Sequence, residues 1–169
     1  FRAHKPIMAI STLTFTKPIP PSIYSSDHAV LRFYAIYGQA FSSAFSTTPP
    51  EDFYAADCIM YAVDGSTLSG GQTMWDFFGT LYQPFAKVTR DMLSLIIVSD
   101  EEAGTHAIHI ELVTTLWLDE KGERKVDVPQ AFKYVLGRAD EGKGTLGLQF
   151  RELRCYYDMG LMERAKASL

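Results

Sequence analysis

The chain has 169 residues, 47% hydrophobic and 13% aromatic, which fits one globular domain with a sizeable core. Its net charge is -4 and it carries no Lys/Arg block or stripe, so nucleic acid is not an expected partner. No apolar run approaches the roughly 18 residues of a membrane-spanning helix, so no membrane association is expected.

Met8–Ala9 reads as a natural start, with FRAHKPI (1–7) as an appended remnant. IMAISTLTF is broken by Ser and Thr and is followed by TKPIPPS, not by a small-residue cleavage site, so it is not read as a signal peptide. Residues 1–26 hold Pro6, Pro18, Pro20 and Pro21 and are expected to form an extended, non-helical arm; 27–169 form a single domain. A helix should start after Ser26–Asp27, with Leu31, Tyr34, Ala35, Gly38 and Phe41 on its apolar stripe. Pro49 and Pro50, followed by Glu51 and Asp52, suit another helix start.

DCIMYAVDGSTLSGG predicts two short strands around a turn at Asp64–Gly65. GQTMWDFFGTLYQPF predicts a helix burying Met74, Phe77, Phe78, Leu81 and Phe85. From residue 87 the chain reads as four long strands separated by DEEAG, DEKGE and DEGKG, an antiparallel meander. A flat strand of about 14 residues would run roughly 45 Å, so the sheet must twist and curl. Pro129 marks an edge or a bulge. The fold class is therefore α+β: a cone-shaped, strongly curved antiparallel sheet, with the N-terminal helices across its concave side enclosing a pocket.

Residues 27–163 resemble the nuclear-transport-factor-2-like superfamily in element order, in DFYAADCIMYAVDG…LSGGQTMWDFF and in the closing LRCYYDMGLMER. Its enzyme branches include scytalone dehydratase, ketosteroid isomerase, limonene epoxide hydrolase and the SnoaL-type cyclases. The resemblance implies a cone that holds a small apolar molecule and does acid–base chemistry without a cofactor. It also implies a homodimer. The ketosteroid isomerase general base would fall near Ala62, which cannot act as a base, and its oxyanion-stabilising aspartate near Gln130. The epoxide hydrolase base would fall on Cys155, and the scytalone dehydratase histidine corresponds to His109.

The histidine lies in THAIHIELV, where a strand alternates its faces. His106, Ile108, Ile110 and Leu112 share one face, and His109 and Glu111 share the other. Binary patterning buries the first face and leaves His109–Glu111 in solvent or at a subunit contact. If the other face lines the cone, His109 is the catalytic acid–base group and Glu111 tunes it. Gln130 sits in an apolar row and needs a partner, which could be a ligand, backbone or water. Tyr34, Tyr37, Tyr54, Tyr61, Tyr134 and Tyr156 are candidate pocket walls. Cys58 and Cys155 read as reduced thiols of a cytosolic protein, although a disulfide between them is open. Cys155 is more a buried filler than a nucleophile. Asp57 and Asp158 read as structural. No zinc, phosphate-loop, nucleophile-elbow or dinucleotide motif occurs, so no metal and no cofactor are expected.

The expectation is a cytoplasmic, homodimeric, cofactor-independent isomerase, cyclase or dehydratase of secondary metabolism acting on a hydrophobic small molecule. His109 and Glu111 are its catalytic candidates; Tyr37, Tyr54, Tyr61, Gln130, Tyr134 and Cys155 are its substrate contacts. The alternatives are a non-catalytic carrier using the same cone, or a dimeric interaction module.

Overall fold

A computed structural model describes residues 10–43 and 47–169; the expectation for 1–7 lies outside them. Along the chain run β1 (Ile10–Thr16), α1 (Ala29–Ser43), β2 (Tyr54–Tyr61), β3 (Thr67–Ser69), α2 (Gly71–Tyr82), β4 (Lys87–Asp100), β5 (Thr105–Trp117), β6 (Lys125–Arg138), β7 (Leu148–Tyr157) and α3 (Met159–Ala167). Pro21–Ser25 and Pro50–Asp52 are 3-10 turns, so the second proline pair starts a single turn and not a helix.

The expected meander β4–β5–β6–β7 is the centre of one seven-stranded sheet, ordered β1-β4-β5-β6-β7-β2-β3. Every pairing is antiparallel except β2 on β7. Part of the expected arm is β1, an exposed edge strand hydrogen-bonded to β4. Pro129 stands just beyond the β6–β7 ladder, which begins at Gln130↔Tyr157. On that side β6 has no neighbour to miss the proline's absent N–H.

Two bulges within the meander bend the sheet and change which residues face inward. Met92 pairs with Leu112 and Ser94 with Glu111, leaving Leu93 as the extra residue of β4. Beyond the bulge Leu95, Ile97 and Ser99 point inward and are buried. Before it, Arg90 and Met92 stand opposite Thr114 and Leu112, so the inward set switches from odd to even numbers. The Leu93 carbonyl, free at the bulge, accepts the Lys17 N–H at 2.8 Å. A second shift, Val135↔Glu152 to Leu136↔Phe150, makes Arg151 the extra residue of β7. Its guanidinium leaves the sheet and pairs with Asp57 at 3.0 Å and Asp140 at 2.9 Å.

The helices close the concave side. The Ser26 hydroxyl accepts the His28 N–H at 3.2 Å at the start of α1. The buried face of α1 is Val30, Leu31, Phe33 and Tyr37, turned from the expected stripe by the aromatic cluster beneath it. There Phe150 meets Phe33 and Tyr37 at 5.0 Å each and Tyr134 at 4.7 Å. Helix α2 buries Met74, Trp75, Phe78, Leu81 and Tyr82; Phe77 is only partly covered. It follows Gly70 at φ +96° and lies so close to β2 that a Cβ on Gly71 would stand 2.8 Å from the Tyr54 Cβ. Pro84 has no N–H with which to extend the helix. Helix α3 was not set apart in the sequence. Asp158 caps it by accepting the Leu161 N–H at 3.0 Å, and Met162 and Ala165 bury its inner side.

Candidate functional site

The cone holds a cavity of about 270 Å³ between the helices and the sheet. Helix α1 contributes Tyr34, Tyr37, Gly38, Gln39, Phe41 and Ser42 to its wall, and α2 contributes Phe78 and Tyr82. The sheet adds Arg90, Met92, Leu112, Phe132 and Tyr134. The volume matches the liquid share of about nine waters at ~30 Å³ each, room for one aromatic ring with a short substituent. A wider groove of about 890 Å³ adjoins it and shares Phe41, Ser42, Phe78, Tyr82 and Arg90.

Gly38 is a direct sign of this space. It lies inside α1, yet a Cβ built there meets nothing within 4 Å. Mid-helix glycine costs about 1 kcal/mol against alanine, so its absent side chain leaves the cavity open at a local cost to the helix.

The hydroxyls around the cavity are organised in pairs. The Tyr37 and Tyr54 hydroxyls are 2.7 Å apart and buried. The Gln130 amide lies within 3.2 Å of the Tyr82 hydroxyl and accepts from Thr114. Gln130 is thus satisfied by two side chains and does not line the cavity; it positions Tyr82. Burial pushes the Tyr37, Tyr54, Tyr82 and Tyr134 phenols above their ordinary range. They stay protonated and serve as hydrogen-bond donors rather than bases.

His109 and Glu111 do not reach this site. Both are exposed on the outer face of β5, where Glu111 accepts the Ser94 hydroxyl at 2.9 Å. The reason is the one binary patterning anticipates: Ile108, Ile110 and Leu112 take the inner face, and no bulge interrupts β5 against β6. Tyr61 is also outside. It is 38% exposed, with the Arg154 guanidinium 4.4 Å from its ring centre. Tyr156 is 52% exposed. Cys155 and Cys58 are buried, free thiols, and burial raises each to about 12, so neither is a thiolate at neutral pH. Of the remaining expected contacts, Tyr37 and Tyr134 stand on the wall and Tyr54 stands behind Tyr37.

His106 faces inward but lies at the far end of β5, where its Nδ1 is 2.9 Å from the Ser99 hydroxyl. Burial lowers its pKa from the ordinary 6.5, and the Glu101 charge partly offsets this. It does not line the cavity.

Sequence reasoning passed over Arg90, Met92 and Tyr82. Alternation counted back from Leu95 puts Arg90 outside, and the bulge at Leu93 reverses that. Among the described residues Arg90 is the one charged side chain on the cavity wall. No carboxylate or imidazole lines it, and no group of three potential metal ligands occurs among the described residues. No described helix is long and apolar enough to cross a membrane.

No protein-family model matches the chain, and no curated protein matches its sequence. Solved structures do. The CaMKII hub of S. rosetta is 12% identical with a TM-score of 0.60, covering 77% of this chain and 95% of the hub. A SnoaL-like protein of Shewanella putrefaciens is 16% identical with a TM-score of 0.57, covering 89% and 96%. Nuclear transport factor 2 of Cryptosporidium parvum is 13% identical with a TM-score of 0.53, covering 82% and 96%. At such identities the likeness is one of fold. A curved, mostly antiparallel sheet wrapped on helices, matched by these structures over 77–89% of the chain, gives this chain the nuclear-transport-factor-2-like fold.

Proposed function

We propose that the chain is a binding protein for a small, flat, largely apolar molecule held in the cone. One observation carries this reading: the cavity is walled by aromatic rings and phenols, with no carboxylate or imidazole among the described residues of its wall. Concave, mostly apolar sites with a few placed polar groups are the usual form of small-molecule sites. Tyr37 and Tyr134 are the expected contacts, with Tyr82 oriented from behind by Gln130. Trp75 lies 5.8 Å from Phe41, a wall residue, so tryptophan fluorescence should report occupancy. Saturable quenching by an aromatic ligand, lost in Gly38→Phe, is the expected result. Identical titrations of parent and variant would count against the reading.

The Tyr37–Tyr54 hydroxyl pair favours a second reading, an isomerase, cyclase or dehydratase. A phenol held protonated at the cavity wall, Tyr37, with Tyr54 behind it, can donate a hydrogen bond to an oxygen that gains negative charge during reaction. On this reading Tyr37→Phe lowers the turnover of a substrate roughly a hundredfold, the lower end of the loss on removing one such donor. His109→Ala leaves turnover unchanged. Equal turnover by parent and Tyr37→Phe would remove the reading. In either case a second copy is expected to dock on the outer sheet face, and a monomer in sedimentation at tens of micromolar would argue against that assembly.

A further inference from the structure

Arg90 differs from the two arginines that form ion pairs among the described residues. Arg151 is held by Asp57 and Asp140, and Arg154 by Glu152. Among the described residues no carboxylate lies within ion-pair distance of Arg90. Its guanidinium lies instead 4.9 Å from the Phe41 ring centre and 4.8 Å from that of Tyr82. These two rings, nearly perpendicular to each other, flank the guanidinium without supplying a counter-charge. Guanidinium N–H donors lie in the plane at its edge, in a fork that matches a carboxylate.

Its place in the fold is equally specific. The bulge at Leu93 turns Arg90 to the inner face, where its exposed side chain borders both the cavity and the adjoining groove. Among the described residues along that groove the only acid is Asp76, which accepts from the Gln72 amide at 2.8 Å, and the other charge is Lys87. A ligand entering from the groove therefore meets two cations and one engaged carboxylate, on a chain whose net charge is -4. Beyond Arg90 the cavity offers Tyr34, Phe132 and Tyr134 as ring surfaces.

We propose that the cone is a site for a small aromatic carboxylate. Its ring lies among Tyr34, Phe132 and Tyr134, and its carboxylate takes the edge of the Arg90 guanidinium at the mouth. This rests on the binding reading above and adds the charge of the ligand to it. Arg90 is a specificity-determining residue: it separates a carboxylate from a neutral molecule of the same shape. A charged hydrogen bond is stronger than a neutral one, and two parallel ones add direction.

The test is calorimetric titration of the whole chain with cinnamate and with cinnamamide, which share a shape and differ in charge. The parent protein is expected to bind cinnamate about tenfold more tightly than cinnamamide. In Arg90→Gln the ratio should fall to about one, and in Arg90→Lys it should lie between. If the parent binds both equally, the carboxylate proposal is overturned while the binding reading stands. Full cinnamate preference retained in Arg90→Gln overturns it as well. If the parent binds neither, both fail. The parent's ratio needs no variant, so a folding defect in Arg90→Gln cannot rescue the proposal.

Discussion

The two faces of the sheet treat polar side chains differently. On the outer face Glu111 meets Ser94, Asp127 meets Thr115 and Lys125, and Arg154 meets Glu152, all within reach of water. Such pairs contribute roughly 0–1 kcal/mol. On the inner face Ser99 meets His106, and Thr114, Gln130 and Tyr82 form one chain. There an unmade bond costs about 1–3 kcal/mol, so almost every polar group is tied to another. Arg90 has no acidic partner among the described residues and stands at the mouth of the cavity, where its side chain is exposed to water. A histidine beside a glutamate attracts attention in a sequence, but its face decides whether it can act on a ligand.

The largest test of this contrast is Phe150→Ala. Phe150 is fully buried and packs on Phe33, Tyr37, Tyr54 and Tyr134. Urea unfolding should show a loss of about 3–5 kcal/mol. A loss under 1 kcal/mol would mean the aromatic cluster is not the core. Next in size is Gln130→Leu, which strips the Tyr82 and Thr114 hydroxyls of their partner. It should destabilise by about 1–3 kcal/mol and also weaken cavity binding, since Tyr82 loses its anchor. Gly38→Ala should act the other way. Its Cβ meets open space, so the helix gains up to about 1 kcal/mol.

His106 gives stability a pH signature. Its folded pKa lies below the unfolded 6.5. Between those values the unfolded chain holds a proton that the folded chain does not, so stability falls as pH drops through that window and is level above 6.5. The slope should be shallower in His106→Asn; identical slopes in parent and variant would show that His106 is not desolvated. The smallest effect is expected from His109→Ala, within about 0.5 kcal/mol, as for exposed sites generally.

What the sequence revealed and what it hid follow from local and non-local causes. The four-strand meander was legible because three acidic, Gly-bearing turns separate the strands and the inner rows are mainly apolar, as in Ile108, Ile110 and Leu112 of β5. The hairpin at Asp64–Gly65 was legible because Asp64 accepts the Ser66 N–H at 2.8 Å within its own turn. β1 was not, because an edge strand of Ser and Thr followed by prolines has no buried row to betray it. The parallel pairing of β2 with β7 joins residues such as Met60 and Leu153, far apart in the chain, and no local pattern encodes it. Helix α3 buries only Met162 and Ala165, too little for a stripe. For the site, Tyr37 and Tyr134 were readable as wall residues. Arg90 was not, because one extra residue at Leu93 inverts the alternation that would have placed it.

The central claim is that the ligand enters the cone and ignores the outer histidine face. The direct measurement is cinnamate affinity for the parent, Gly38→Phe and His109→Ala, taken side by side. The account predicts at least a tenfold loss in Gly38→Phe, where the ring fills space now open beside the α1 backbone, and no change in His109→Ala. Unchanged affinity in Gly38→Phe together with a loss in His109→Ala would contradict it and return the function to the outer face.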